Sequence, residues 1–177
     1  MALLEIVQYP NKLLRRKGRY VTDINHPKVQ RDITDMLETL QSCGDNCAAL
    51  AATQLAINDP YDIVVINPLP DEPIFHKQPL VLVNPRLSSS GSTVKGLEGC
   101  MSISPDTIHA EVARASEVAV TALNRNGEPL AFTAKDFFAR CLQHECDHLK
   151  GKLYIDYLTP KQQLEIERTI ACAPHRI

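Results

Sequence analysis

The 177-residue sequence has no excess of charge of either sign and no long hydrophobic run. Its 19 Lys and Arg residues oppose 21 Asp and Glu residues, which gives a formal net charge of −2 at pH 7. So small a net charge creates no overall field that would attract nucleic acid or an acidic membrane surface. No stretch approaches the ~18 apolar residues of a membrane-spanning helix. We therefore expect a protein that binds neither nucleic acid nor a membrane.

The sequence also lacks an export signal, since the acidic Glu5 lies near the start and no cationic segment precedes an apolar run. We therefore expect a cytoplasmic protein. Its six cysteines should remain reduced thiols there, most of them small buried side chains. The sequence contains no internal repeat, low-complexity tract or linker, and its length fits one core. We expect a single catalytic domain over 1–177.

Three segments of the sequence predict helices. Apolar residues recur at three- and four-residue steps over 26–43, as on the buried face of a helix. Thr133 and Asp136 are three residues apart and predict a capping box that begins a second helix. Gly151 marks the end of that helix. Thr159 predicts the N-cap of a third helix, near the C-terminus.

Other segments predict strands. The β-branched runs 63–66 and 80–83 are each followed by Asn-Pro, which predicts that each strand ends there. The polar segment 88–92 is expected to be a turn or loop. Segments 117–123 and 129–133 flank an Asn-Gly turn, which predicts a hairpin. Without a regular alternation of strands and helices, the pattern favours an α+β fold, with antiparallel β-sheets packed around a central helix and with a C-terminal helix.

The predicted central helix carries a metal-binding pattern, His144-Glu145-Cys146-Asp147-His148. Histidines four residues apart project from one helix face, so both imidazoles can reach one ion. A divalent ion lowers the pKa of a bound water, and the adjacent Glu145 is placed to take its proton and pass it to a leaving amine. We therefore predict a metal-dependent hydrolase with Glu145 as its general base.

A catalytic site of this kind needs a third protein ligand and an open position for water. Tyr154 stands where zinc proteases of the extended type carry a third histidine, which excludes that class. Cys100 lies upstream in Glu98-Gly99-Cys100-Met101-Ser102, and a thiolate binds zinc or ferrous iron well. Gly99 before it lets the backbone approach the site closely. The other candidates are two downstream carboxylates and two cysteines of the helix: Glu165, Glu167, Cys141 and Cys146.

The segment 98–102 and the later segment Gln143-His144-Glu145-Cys146-Asp147-His148-Leu149-Lys150-Gly151 together resemble the peptide deformylase family. Similarity extends over nearly the whole chain, including Ala51-Ala52-Thr53-Gln54. The resemblance implies that Cys100 is the third ligand of one divalent ion. It further implies Fe²⁺ as the native ion, with Zn²⁺, Ni²⁺ or Co²⁺ as substitutes.

The resemblance also implies the substrate and the remaining site residues. The enzyme would remove formate from N-formylmethionine at the start of nascent polypeptides. The Gln54 amide and the Met101 backbone N–H would stabilise the oxyanion that develops at the formyl carbon. Ala48, Ala49 and Gly99 would bind the substrate, whose backbone lies beside a strand in this family. A transient ribosome contact through the last helix is a further expectation, resting on three basic residues: Lys161, Arg168 and Arg176.

The chain departs from the family pattern in its first motif, where Cys47 and Ala49 replace two glycines. The segment 103–106 is longer than the usual turn, and 107–109 has no counterpart of the substrate-binding arginine. A deformylase-like binding protein with little turnover is therefore an alternative, and a purely structural metal is another. We expect Arg114 to pair with Glu98. Arg140 lies one turn before His144, and two roles stay open for it. Its stem packs on the pocket with the charged end in water, or its charge contacts the substrate.

Overall fold

The computed structural model of the chain describes residues 3–44, 47–69, 72–75, 77–103 and 108–172. The α-helices in these ranges are α1 (Pro27–Ser42), α2 (Asp136–His148) and α3 (Pro160–Cys172). The strands are β1 (Ala49–Ala51), β2 (Ile63–Ile66), β3 (Leu80–Glu98), β4 (Ala110–Leu123) and β5 (Pro129–Lys135). They form one antiparallel sheet in the order β1-β2-β3-β4-β5. The predicted α+β class is confirmed. In the ranges given, no helix has the length and apolar character needed to cross a membrane.

Helices cover both faces of the sheet at β2, which explains why this strand is an unbroken apolar run. Ile63 and Val65 pack in the cluster formed with α1, whereas Val64 and Ile66 pack in the cluster formed with α2. All four side chains are buried. A strand buried on one face only would alternate apolar and polar residues. The sheet is therefore the middle layer between α1 and α2.

Strand β3 does not end at Asn84-Pro85, so the expected short strand and the loop over 88–92 are wrong. Asn84 adopts a positive φ of 54°, and its side chain accepts from Val21 N–H and donates to Val21 C=O. The register with β4 shifts between Val83 and Arg86 and again between Ser90 and Thr93, and the pairing extends to Glu98. The Asn-Pro pair thus makes a bulge. Beyond it most side chains of β3 face water, so the segment carries no apolar signal of a strand.

The hairpin predicted around the Asn-Gly turn is confirmed, and Gly127 has the positive φ that such a turn uses. Its second strand is longer than expected, because Thr133 pairs with Ala119 in the sheet. The predicted capping box of Thr133 and Asp136 is therefore wrong, and α2 begins only at Asp136. The predicted third cap is confirmed, since the Thr159 hydroxyl oxygen accepts from the Gln162 backbone N–H and the Gln162 side chain accepts in return from the Thr159 N–H.

Candidate metal centre and active site

Helix α2 is held in place by hydrogen bonds from both of its sides. The Gln143 amide donates to the Ala115 carbonyl at 2.9 Å and accepts from the Ala115 N–H at 3.1 Å, which joins the helix to β4. The Thr53 hydroxyl, in the turn after β1, donates to the His148 carbonyl at 2.8 Å. The histidine-bearing face therefore has a fixed position relative to both strands.

Two imidazoles from α2 and one thiol from the segment after β3 converge. Cys100 Sγ lies 3.3 Å from His148 Nε2, which lies 3.1 Å from His144 Nε2. All three side chains are buried, and their donor atoms lie within 4.8 Å of one another. Within the described ranges this trio is the only such group of His, Cys, Asp and Glu, so Glu165, Glu167, Cys141 and Cys146 lie outside it.

The donor set fits a divalent ion. Two nitrogen ligands and one sulfur ligand of a tetrahedral ion at ordinary bond lengths are about 3.3–3.6 Å apart. The contacts from His148 Nε2 to Cys100 Sγ and to His144 Nε2 are close to those values. Burial lowers the pKa of His148 well below its usual value, so this imidazole is neutral, as a ligand must be. The pKa of His144 is also lowered by burial, but hydrogen bonds with Cys100 and Glu98 outweigh this and raise it well above its usual value. A raised pKa favours the protonated imidazole, so metal binding at His144 competes with proton binding.

Glu98 orients the first histidine and is itself held by two guanidinium groups. Glu98 Oε2 accepts from His144 Nδ1 at 2.9 Å, which leaves Nε2 directed at the other ligands. Arg114 binds the same carboxylate through Nε at 2.9 Å and Nη2 at 3.0 Å, so the expected pair is confirmed. Burial raises the pKa of Glu98, but the hydrogen bonds from His144 and Arg114 outweigh it and lower the pKa to about 2. Glu98 is therefore ionised at any physiological pH.

Sequence reasoning gave no role to Asp147 or Tyr157, which extend this network. Asp147 Oδ2 makes a short ion pair with Arg114 Nη1 and accepts from the Tyr157 hydroxyl at 2.8 Å. The Arg114 guanidinium lies 4.6 Å from the centre of the Tyr157 ring. A signal was available, because Asp147 precedes His148 in a buried helix, where a carboxylate requires a cationic partner.

Arg140 does not carry the solvated charge of the first expectation stated for it, and a contact with substrate stays a prediction, since Arg140 lines the pocket. Its charge is mostly withdrawn from water, since the side chain is only 14% exposed and Nη1 lies 2.9 Å from Glu98 Oε1. It also donates to backbone carbonyls of β3 and β4. A guanidinium committed to these acceptors belongs to the wall of the site.

Cys100, His144 and Glu145 border one pocket of about 230 Å³. Every predicted site residue lines it except His148, which lies deeper. The lining is formed by Cys47, Ala48, Ala49, Gln54, Leu97, Glu98, Gly99, Cys100, Met101, His109, Phe137, Arg140, Cys141, His144 and Glu145. Ala49 begins β1, which is an edge strand of the sheet, and Ala48 directly precedes it. An extended peptide in the pocket would therefore lie beside a strand edge.

Two polar side chains in the pocket carry groups suited to proton transfer and oxyanion binding. Glu145 is buried, and burial raises the pKa of its carboxyl to about 7. Gln54 Oε1 accepts from the Ala51 N–H at 2.8 Å, which fixes the amide. Its Nε2 then lies 3.5 Å from Cys100 Sγ and 3.4 Å from the Ser102 hydroxyl. The amide donor therefore lies at the ligand trio.

The structure also gives the positions of residues at which the chain departs from the family pattern. Cys47 is buried, its thiol donates to the Ala49 carbonyl, and burial raises its pKa well above the usual value. It is therefore a small buried residue and not a reactive thiol, as expected. Ile108 is buried and His109 lines the pocket near Gly99, where an added Cβ would lie 2.7 Å from the imidazole. The expectations for 104–107 and for Arg176 lie outside the described residues.

The chain is similar in sequence and in fold to known proteins of one family, and these similarities agree with the site described above. The family model described as polypeptide deformylase matches residues 3–164. Peptide deformylase 2 of Vibrio cholerae is 44% identical over 169 residues, which cover 95% of this chain and 94% of that protein. A crystal structure of a peptide deformylase from Legionella pneumophila matches with a TM-score of 0.79 and 31% identity, covering 98% of this chain and 100% of that chain. One from Ehrlichia chaffeensis, in complex with actinonin, matches with a TM-score of 0.82 and 28% identity, covering 96% of each. The chain therefore belongs to the peptide deformylase family, the metal-dependent hydrolases that remove the formyl group from the N-formylmethionine of nascent polypeptides.

Proposed function

We propose that Cys100, His144 and His148 bind one divalent ion, and that Glu145 is the general base and acid of deformylation. The observation that carries this proposal is the convergence of the three donor atoms beside the pocket that contains Glu145. One thiolate with two imidazoles accepts several first-row metals. We propose Fe²⁺ as the native ion, with Zn²⁺, Ni²⁺ or Co²⁺ as substitutes.

When bound, the ion supplies a water of lowered pKa and polarises the formyl carbonyl. Glu145 takes a proton from the water that attacks the formyl carbon. A carboxylate of pKa near 7 suits this step, because it accepts a proton readily and can release it again. Glu145 then delivers the proton to the departing amine as the bond between carbon and nitrogen breaks, which yields formate and the free N-terminus.

Gln54 and Met101 are proposed to stabilise the negative charge that develops on the formyl oxygen. The Gln54 Nε2–H donors lie at the ligand trio, and the Oε1 contact with the Ala51 N–H keeps them there. Preorganised donors of this kind each contribute about 3 kcal/mol to the transition state. Met101 follows the ligand Cys100 directly and lines the pocket, so its backbone N–H is the proposed second donor.

The pocket supports binding of an apolar side chain with an extended backbone. The apolar part of the pocket wall is formed by Leu97, Phe137 and Cys141, and it suits the thioether side chain of methionine. Ala48 and Ala49 at the edge of the sheet, together with Gly99, are proposed to pair with the substrate backbone. The Cβ of Ala49 narrows this edge relative to the glycine of the family pattern, so we expect sensitivity to the residue that follows methionine.

The test is release of formate from formyl-Met-Ala-Ser by the ferrous protein, prepared without oxygen and with its metal content measured. Release that depends on Glu145 supports the proposal. Full metal occupancy with no release would instead favour the binding protein with little turnover. A cobalt-substituted protein whose spectrum shows four protein ligands and no open position would indicate a structural metal.

The cellular setting is proposed on the same basis. Nascent chains that begin with N-formylmethionine are the substrate, so we propose a cytoplasmic enzyme whose catalytic domain spans 1–177. Lys161 and Arg168 are exposed on α3, which supports a transient contact with the ribosome through that helix. Co-sedimentation of the protein with ribosomes at low and physiological salt tests this contact, and loss of co-sedimentation is expected when both residues are replaced by Glu.

A further inference from the structure

The Arg140 guanidinium joins three elements around the metal centre. From α2 its Nη1 reaches Glu98 Oε1 at 2.9 Å and the Val112 carbonyl of β4 at 2.8 Å. Its Nη2 reaches the Val94 carbonyl of β3 at 2.8 Å. A planar fork with several donors can bind acceptors on two strands at once, which a lysine ammonium cannot do in the same geometry.

Gly96 provides the space for this arrangement. A Cβ built on Gly96 would lie 2.9 Å from Arg140 Nη2 and 3.0 Å from Arg140 Cζ. Its φ is outside the left-handed region, so the backbone itself would accept alanine at this position. The absence of a side chain at Gly96 is therefore explained by the guanidinium that packs on it.

The position of Arg140 in the chain relates it to two of the three proposed ligands. Arg140 lies one turn before His144 on α2, and Glu98 lies two residues before Cys100 at the end of β3. The metal centre spans these two elements, so its geometry depends on how they are held together. Arg114 contributes from β4 by joining Glu98 to Asp147. Arg140, which lines the pocket, likewise joins Glu98 to α2.

We propose that Arg140 is a positioning residue of the metal centre, acting through Glu98 and the ends of β3 and β4 to hold Cys100 and His144 at ligating distance. The inference rests on the proposed ligand set. The expected change in metal affinity has a distinctive sign, because removal of a nearby positive charge would by itself strengthen the binding of a cation. Weaker metal binding after loss of Arg140 would therefore report lost positioning and not lost charge.

The experiment is a titration of the metal-free protein with Co²⁺, followed by the thiolate-to-cobalt absorption band. Arg140→Ala is expected to raise the Kd for Co²⁺ by about 10- to 100-fold, the usual effect of removing a group that orients a metal ligand. Arg140→Lys keeps the charge with fewer donors and is expected to recover part of the affinity. Arg16→Ala is the matched control, since this half-buried arginine donates to three carbonyls of residues that do not line the pocket, and its Kd should stay within twofold of wild type.

A second variant keeps the proposal testable if Arg140→Ala does not fold. Gly96→Ala retains every charge and displaces only the guanidinium, so it should weaken Co²⁺ binding in the same direction by a smaller factor. A Kd within twofold of wild type in a folded Arg140→Ala or Gly96→Ala protein overturns the proposal. Failure of the ligand set is a different result, because wild type would then bind Co²⁺ no better than His144→Ala.

Discussion

Replacement of Glu145 by Gln separates catalysis from metal binding. The side chain keeps its shape, and the proposed ligands Cys100, His144 and His148 are unchanged, so we expect full metal occupancy. Turnover of formyl-Met-Ala-Ser should fall by about 10²- to 10⁴-fold, because the amide cannot accept a proton in the transition state. Among the described residues that line the pocket, Glu145 is the only buried carboxylate apart from Glu98, which is bound by two arginines. We therefore expect no other described carboxylate of the lining to replace it.

The same variant should be more stable than wild type when both are free of metal. Burial raises the pKa of Glu145 from 4.5 to about 7, so the wild-type protein loses stability as the pH rises between these values. A shift of this size corresponds to about 3 kcal/mol above pH 7. Glu145 Oε2 has no hydrogen-bond partner in the described part of the chain, so the unpartnered amide of the variant costs about 1 kcal/mol. The expected net gain is therefore about 2 kcal/mol at pH 8, and none at pH 4.5 or below.

Turnover is measured as formate release at known metal content. The stability difference is measured by urea unfolding of the metal-free proteins at pH 4.5 and pH 8. Glu165→Gln, which alters an exposed carboxylate of α3, is the control and should change neither. Near-normal turnover in the fully loaded Glu145→Gln protein would refute the role of the carboxylate. An equal stability difference at both pH values would refute the reasoning from burial.

Three further predictions concern the residues around the ion. Gln54→Glu keeps the acceptor for the Ala51 N–H but removes the amide donor, so kcat for formate release should fall about 100-fold with little change in KM. Glu98→Gln leaves two buried guanidinium groups short of a countercharge and should lower the free energy of unfolding at pH 7 by about 3 kcal/mol. This difference should persist to about pH 4.5 and fade as the pH drops through 2, the range in which wild-type Glu98 becomes protonated, as followed by chemical unfolding at each pH. Leu97 lines the pocket and is 70% exposed, so Leu97→Ser should raise KM about fivefold through about 1 kcal/mol of lost apolar contact, and an equal loss in kcat would contradict this.

The helix that carries His144 and His148 was predictable because its signal is local and chemical. Histidines four residues apart in a helix share a face whatever the rest of the fold does. Helix 26–43 and the Asn-Gly hairpin were likewise correct, since each depends on periodicity or turn chemistry within a short window. The link from Cys100 to the histidines came from two motifs in order, and the structure places the thiol at 3.3 Å from His148 Nε2.

The features that sequence reasoning missed all depend on partners distant in the chain. Asn84-Pro85 signals a turn locally, but hydrogen bonds with Val21 make it a bulge through which β3 continues. Thr133 has the chemistry of a cap, but pairing with β4 keeps it in a strand. Arg140 reads as a solvated charge on a helix face, and only the tertiary structure shows that it binds Glu98 and carbonyls of the two neighbouring strands. Tertiary contacts decided each of these cases against the local preference.

The proposed donor set comes from segments more than 40 residues apart, so folding of the chain and loading of the ion are one coupled equilibrium. An ion that binds the native state and not the unfolded chain adds about 1.4 kcal/mol of stability for every tenfold excess of its free concentration over Kd. The midpoint of thermal unfolding should therefore climb steadily with the logarithm of free Co²⁺, and a chelator should reverse the rise. Supply of the ion in the cell would then govern how long the protein survives proteolysis as well as how fast it works.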